Sequence, residues 1–312
     1  MSSPLTVRVV AREEVAADVV RLRLRRADGT SLPAWAPGAH LDLRLAGDLV
    51  RQYSLCGERG GDWEIAVLRV PGGRGGSVAV HRDLAVGDEV EVDGPRNHFP
   101  LEEAESYLLV AGGIGITPLV PMVAELHARG AEWRLAYGGR SRASMAFADE
   151  LVARFGDRVL IAPQDEVGLL DLPVVLGEQV PGRLVYCCGP AALLDAVEER
   201  MRDREDEGLR VERFTARAQS APTSGAFLVR AERSGVEVEV AAGESIIDAL
   251  ERSGVSVEHS CREGTCGTCE TTVLAGVPEH RDSVLSAEEQ GRGDCVMVCV
   301  ARCLEGPLVL DL

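Results

Sequence analysis

The chain has 312 residues, 46% of them hydrophobic, and a formal net charge of −17. At roughly 100–200 residues per domain, that length suggests two or three domains, and the hydrophobic content excludes wholesale disorder. No apolar run approaches the roughly 18 residues that span a bilayer, the start MSSPLTVRVVAREEV lacks the pattern of a secretory signal, and so acidic a chain repels nucleic acid and anionic membranes. The expectation is a cytoplasmic protein, monomeric, with neither nucleic acid nor membrane as partner. All 33 basic residues are arginine, a coding bias without functional weight.

Residues 1–102 read as short alternating runs between Gly, Pro and Asp breaks: LTVRVVAREEV, VVRLRLRRADG, HLDLRLAGDLVRQYSL, DWEIAVLRV and DEVEVDGP. About six such strands predict a small antiparallel β-barrel. Residues 103–214 change character. YLLVAGG, EWRLAYGG, RVLIAPQD and RLVYCCG read as strands, and LVPMVAELHARG, ASMAFADELVARFG and AALLDAVEERMRDR as helices. Alternation of this kind predicts an α/β domain with a parallel sheet. The polar, proline-containing stretch TARAQSAPTSG (215–225) reads as a linker that completes a second domain, 103–225. In 226–312, FLVRAERSGVEVEV reads as a hairpin and SIIDALERSG as a short helix, an order that suits an α+β, β-grasp fold.

The second domain carries a glycine loop, GGIGITP (Gly112–Pro118), between a strand and a helix, with Thr117 placed to cap that helix and Pro118 at its first position. Glycines there let backbone N–H groups turn toward a ligand, and a helix N-terminus favours a phosphate. A second such turn, CCGP (Cys187–Pro190), ends a later strand. Loops at the carboxyl ends of parallel strands are where α/β sheets bind nucleotides, so the pair points to a pyridine dinucleotide.

Of nine cysteines, six lie from position 261 onward. In a chain without an export signal, such clustering indicates metal binding or redox chemistry. The spacing Cys261-x4-Cys266-x2-Cys269 is that of the plant-type [2Fe–2S] ferredoxin loop, and Gly264 and Gly267 between the ligands admit backbone N–H···S bonds. Cys295, Cys299 and Cys303 compete for the fourth position. CVMVCVARC alternates like a strand, which would put Cys295 and Cys299 on one side. Cys299, separated from Cys269 by 29 residues as in plant-type ferredoxins, is the choice. Zinc would want a second C-x2-C pair, a dithiol at Cys266 and Cys269 leaves Cys261 unexplained, and a Rieske cluster needs two histidine ligands. His259 and His280 are in no convincing pairing with the cysteines and read as surface residues.

RQYSL (Arg51–Leu55), GGIGITP, CCGP and CREGTCGTC follow one another as in the phthalate dioxygenase reductase family of the ferredoxin-NADP⁺ reductase superfamily, which the chain resembles over nearly its whole length, including GVPEHRDSVL and the closing LVLDL. The resemblance implies a flavin-binding barrel, a nicotinamide-binding α/β domain and a C-terminal [2Fe–2S] domain. It places Arg51 on a flavin phosphate, Tyr53 and Ser54 against the isoalloxazine ring, and Arg74, Gly75, Gly76 and Ser77 around the phosphate of FMN. On the nicotinamide side it implicates Gly112, Gly113, Gly115 and Thr117 in the first loop, and Cys188, Gly189 and Pro190 near the nicotinamide. Arg140 resembles an arginine near the nucleotide, Asp165 is placed to accept ribose hydroxyls, which favours NADH, and Phe214 matches an aromatic near the flavin. Leu68 stands where the family often carries a basic residue, with Arg69 next to it to compensate, and Arg213 replaces a small residue.

The implied activity is that of an NADH-dependent oxygenase reductase, which takes electron pairs from NADH through FMN and delivers them singly through the cluster to a terminal oxygenase, either a Rieske oxygenase or a cytochrome P450. No side chain is needed as a general base, and none is assigned. A non-catalytic zinc-binding adaptor on the same scaffold is the rival from another class. The charge divides unevenly: residues 226–312 hold 16 acidic residues against 7 arginines, leaving −9 of the −17 on this segment. That surface is the expected docking end for a basic partner, with an attraction that salt weakens.

Overall fold

The computed structural model describes residues 4–47, 49–217 and 225–312. The chain divides into two compact units, Met1–Glu212 and Arg213–Leu312. Most of the expected linker, residues 218–224, lies outside the described residues.

The first unit opens with six strands: β1 (Leu5–Ala16), β2 (Val19–Arg26), β3 (His40–Leu45), β4 (Leu49–Ser54), β5 (Trp63–Leu68) and β6 (Glu89–Arg96). They form an antiparallel sheet in the order β4-β3-β6-β1-β2-β5, and a bridge between Leu55 and Ile65 joins its ends into a barrel. The alternation of β2 explains the geometry. Val20, Leu22 and Leu24 are fully buried against Leu41, Leu43 and Trp63, while Arg23 pairs outside with Glu64 on β5 at 2.9 Å. Each buried aliphatic side chain contributes roughly 1.5–3 kcal/mol; the exposed pair contributes under about 1 kcal/mol. One element departs from the expectation. GGRGGSVAVHRD contains a helix, Gly76–Asp83, which follows Gly75 at φ 83°. Its glycine-rich start hides a single anchoring residue, Val80, which is fully buried in the barrel core.

The same unit continues with β7 (Ser106–Gly112), β8 (Glu132–Gly139), β9 (Val159–Pro163), β10 (Arg183–Cys188) and β11 (Gly208–Glu212), all parallel in the order β11-β10-β7-β8-β9. The continuous apolar run of β7 follows from burial on both faces: Leu109 and Ala111 enter one core, Leu108 and Val110 the other. The first of these cores also takes in Val19, Cys56, Ala66 and Phe99 of the barrel. Tyr186 on β10 fastens the two parts further, donating its hydroxyl to Pro100 O at 3.0 Å and accepting from Glu102 N at 2.8 Å. Strand β11 was not expected; every one of its residues is only half-buried, so its sequence lacks an apolar run. The helix expected over ASMAFADELVARFG is shorter, Ala148–Phe155, because Phe147 adopts a left-handed conformation just before it.

The second unit comprises β12 (Phe227–Ala231), β13 (Val236–Val240), β14 (Glu270–Glu279), β15 (Cys295–Met297) and β16 (Arg302–Leu310). The order is β13-β12-β16-β14-β15, with β12 and β16 parallel and the rest antiparallel. The helix Ile246–Arg252 starts where Ser245 Oγ accepts from Asp248 N at 3.1 Å, a cap worth about 1 kcal/mol. It buries Ile246, Ile247, Ala249 and Leu250 in the β-grasp core. CVMVCVARC is not one strand. It turns over 298–300, where Val300 N and Ala301 N both donate to Met297 O, so Cys299 lies in the turn and shares no strand face with Cys295.

Candidate functional site

The flavin-site candidates converge on the barrel. Arg51 and Tyr53 alternate with Ser54 along β4, which places the first two on one face and Ser54, 5% exposed, on the other. Arg51 Nη1 donates to Val50 O and Nη2 to Arg74 O, each at 2.7 Å. Its stem crosses the first turn of the helix Gly76–Asp83: a Cβ on Gly76 would meet Arg51 Cγ at 2.3 Å, so only glycine fits. Tyr53 is pushed up to about 12 by desolvation, against the opposing pull of Arg51 and Arg74, which keeps the phenol neutral. Ser77 Oγ accepts from Val70 N at 3.0 Å and keeps its own O–H to donate. The Arg51 side chain, the Arg74 backbone, a left-handed glycine and a helix start therefore meet at one point, with Arg74 adding its charge nearby, a combination suited to a phosphate. Arg69 does not join them; it forks onto Asp18 at 2.6 and 2.9 Å, so it does not stand in for a basic residue at Leu68.

The nucleotide-site candidates share the carboxyl edge of the parallel sheet. The register Cys188↔Ala111, with β8 and β9 alongside, brings the loops at Gly112–Thr117, Arg140, Asp165 and Cys188–Pro190 to that edge. The glycines divide by task. A Cβ on Gly112 would meet Pro190 Cδ at 2.6 Å, one on Gly115 would meet Cys188 O at 2.3 Å, and one on Gly189 would meet Gly112 Cα at 2.9 Å. These three let the two loops pack backbone to backbone. Gly113, at φ 54°, faces open space. Thr117 corrects the expectation: it is helical itself, buried, and donates its hydroxyl to Ile114 O at 3.0 Å, because a short 3₁₀ turn over Gly113–Ile116 precedes the helix Leu119–Ala128. Pro118, not Thr117, is at the cap position, and no side chain caps that helix. Arg140 and Asp165 are exposed and linked through Asp165 N and Arg140 O at 3.1 Å.

Glu212 is the residue the sequence reading missed. The register Cys188↔Glu212 sets it beside Cys188, whose thiol donates to Glu212 Oε2 at 3.9 Å. Part of the residue reaches the surface, yet desolvation lifts the carboxyl to about 8. Burial likewise raises the Cys188 thiol, with Glu212 as the second cause. The available signal was an acid two residues before Phe214 in VERF. Because the folded value exceeds the unfolded one, stability from this group is complete below about pH 4.5 and is lost as pH rises through about 8. Glu212→Gln should remove a pH-dependent loss on the order of 3 kcal/mol after allowance for partial exposure. Urea denaturation of the holoprotein at pH 6 and pH 9 measures it; equal slopes for both proteins would contradict the assignment.

The cysteines meet in the second unit. Cys261 Sγ lies within hydrogen-bond reach of Cys266 and Cys299, and Cys299 within reach of Cys269. The loop supplies donors: Glu263 N and Thr265 N point at Cys261 Sγ at 3.3 and 3.4 Å, Cys261 N at Cys266 Sγ at 3.5 Å, and Thr268 Oγ1 lies 3.3 Å from Cys266 Sγ. Cys261 is held well below the ordinary thiol range, first by Cys266 and then by Cys299. Gly264 and Gly267 take φ values of 68° and 72°, which make the amides converge. Cys295 stands apart: burial, then Glu270 and Asp294, push its thiol up to about 11. Cys303 Sγ turns to the carbonyls of Glu305 and Gly306. Thiolates ringed by N–H donors fit an iron–sulfur cluster. Phe214 belongs to this unit and is 40% exposed. His280 is not a surface residue; its side chain is 9% exposed, beside Asp282.

A barrel with a cationic glycine turn, a parallel sheet with paired glycine loops and a cysteine-lined β-grasp unit together define an oxidoreductase with flavin and iron–sulfur domains. Two family models agree, "Oxidoreductase FAD-binding domain" over residues 6–100 and "2Fe-2S iron-sulfur cluster binding domain" over 229–304. The chain is 42% identical to phenoxybenzoate dioxygenase subunit beta of Ectopseudomonas oleovorans, covering 99% of this chain and 98% of that protein. It is 38% identical to phthalate dioxygenase reductase of Burkholderia cepacia, covering 99% and 97%. Among solved structures, an intact type IV self-sufficient cytochrome P450 monooxygenase matches 99% of the chain at 39% identity and TM-score 0.94; the chain spans 41% of that longer protein. The chain belongs to the phthalate dioxygenase reductase family. Among the described residues, no helix is long and apolar enough to cross a membrane.

Proposed function

We propose that the protein is the reductase of an oxygenase system: it takes electrons from NADH through FMN to a [2Fe–2S] cluster and passes them to a Rieske-type dioxygenase or demethylase. The observation that carries this reading is the convergence of Cys261, Cys266, Cys269 and Cys299 on the amide-lined loop, in a chain whose other unit has flavin and nucleotide motifs. When bound, FMN supplies the conversion between a two-electron donor and a one-electron cluster. The chain's own residues position and tune. Arg51, Arg74, Gly75, Gly76 and Ser77 hold the phosphate end, and Tyr53 packs the ring; the family resemblance adds Ser54 to the ring contact, although its side chain lies on the other face of β4. Gly113 and Thr117 on one loop and Cys188, Gly189 and Pro190 on the other frame the nicotinamide, with Glu212 a neutral acid behind Cys188 at neutral pH. Arg140 and Asp165 receive the ribose and adenine end, the carboxylate favouring NADH.

The domains on this reading are 1–102, 103–225 and 226–312, in a cytoplasmic monomer. The family model for the barrel is described by FAD; FMN is the choice that the resemblance of Arg51–Leu55 and Arg74–Ser77 to the phthalate dioxygenase reductase family implies. A visible spectrum with iron, sulfide, flavin and zinc analysis tests the reading. Flavin and two irons per chain are expected; a colourless, zinc-containing protein would establish the adaptor instead.

A cytochrome P450 as acceptor is the second reading, favoured by the likeness to the self-sufficient monooxygenase. In either case the acidic 226–312 segment is the docking end, and electron transfer to the partner should slow several-fold between about 50 and 300 mM salt. Stopped-flow rates independent of ionic strength would remove the docking role.

A further inference from the structure

The segment His280–Leu285 links β14 to the helix Ala287–Arg292. Asp282 Oδ1 accepts from Val284 N at 3.0 Å and Leu285 N at 2.7 Å, which closes the turn. Ser283 N donates to Gly264 O at 2.8 Å. Gly264 is wedged here: a Cβ on it would meet Val300 Cγ2 at 2.7 Å, Asp282 Cα at 3.0 Å and Asp282 Cβ at 3.1 Å. The turn therefore clamps the middle of the cysteine loop, against the residue that follows Cys299. The two amides that point at Cys261 Sγ belong to Glu263 and Thr265, the immediate neighbours of Gly264.

The second oxygen of Asp282 is different. Its side chain is fully buried, and among the described residues Oδ2 has no hydrogen-bond partner; His280 Nδ1 lies 3.8 Å from it. Among the described residues, neither ring nitrogen of His280 has a hydrogen-bond partner either. The other charges of the segment are paired, Arg281 with Glu279 at 3.2 Å. A charge placed here acts on its surroundings with little solvent screening, and Asp282 sits against the loop whose N–H groups point at the sulfurs. A nearby negative charge makes the addition of an electron harder.

We propose that Asp282 is a positioning residue that sets the reduction potential of the [2Fe–2S] cluster, by clamping Gly264 and by placing a buried negative charge beside the loop. The proposal rests on the reading that the four cysteines hold such a cluster. Asp282→Asn keeps an acceptor for Val284 N and Leu285 N and removes the charge, whereas Asp282→Glu keeps the charge.

The test is a potentiometric titration of the cluster in the holoprotein, followed by its electron paramagnetic resonance signal, with iron and sulfide counted in each preparation. D282N should carry a full cluster and shift its midpoint positive, so that the reduced-to-oxidised ratio at a fixed poise rises about tenfold, or ~59 mV for one electron. D282E should stay nearer the wild type. An unchanged or more negative midpoint in D282N at full occupancy overturns the proposal. So does loss of the cluster from D282N, which would make Asp282 a clamp alone. A wild-type protein without any cluster would fail the underlying reading instead, and the two failures are told apart by the wild-type iron count.

Discussion

Cys299→Ser should lose the iron–sulfur absorption while flavin reduction by NADH continues, and Cys295→Ser should keep both. The structure separates these cysteines physically. Cys299 sits within reach of Cys261 and Cys269, inside the turn 298–300 that re-aims the chain, whereas Cys295 lies on β15 with Glu270 and Asp294 as its charged company. A serine oxygen is a poor substitute for a thiolate that binds iron. Cluster content in C299S should fall about tenfold or more, in keeping with the loss of a direct ligand. Iron and sulfide analysis of the two purified variants, with the flavin absorbance as internal reference, reads the difference. Full cluster content in C299S together with its loss in C295S would reverse the ligand assignment.

Arg51→Ala should release flavin. The guanidinium stem crosses the glycine turn, and its N–H groups tie Arg74 O to β4; removal takes away a phosphate contact and loosens the turn that supplies the others. A hydrogen bond to a charged group contributes about 1.5–3 kcal/mol, so flavin should bind roughly 10- to 100-fold more weakly. Fluorescence titration of the apoprotein gives the ratio directly. The β-barrel itself should survive, because its core of Leu22, Leu41, Leu43, Trp63 and Ile65 does not include Arg51. Stoichiometric flavin on R51A after gel filtration would contradict the phosphate role.

Period-two and helical patterns were legible where one face of an element is buried, as in β2, or where both are, as in β7. The three-part architecture followed from them. The elements that escaped have weak patterns for identifiable reasons. The helix Gly76–Asp83 begins in glycines and has one fully buried anchor, and β11 buries none of its residues completely.

At the sites, spacing pointed to Cys261, Cys266, Cys269 and Cys299, but for Cys299 the supporting idea of a shared strand face was wrong; a turn does the work. Thr117 looked like a cap because nothing in GGIGITP announces the 3₁₀ turn that displaces it. Glu212 and Asp282 were invisible as functional residues, since each acquires its meaning from a distant partner: Cys188 lies 24 residues from Glu212, and Gly264 meets Asp282 only through the loop packing. A charged residue in a polar stretch reads as surface until tertiary contacts bury it.

The most direct measurement is an anaerobic addition of NADH to the purified holoprotein, followed in the flavin and iron–sulfur bands and by paramagnetic resonance of the frozen samples. Bleaching of the flavin accompanied by the signal of a reduced [2Fe–2S] cluster, both present in the wild type and the second missing from C299S, is the result expected. Flavin that bleaches in a wild-type protein whose fully occupied cluster never accepts an electron would contradict the proposed path from NADH to the cluster.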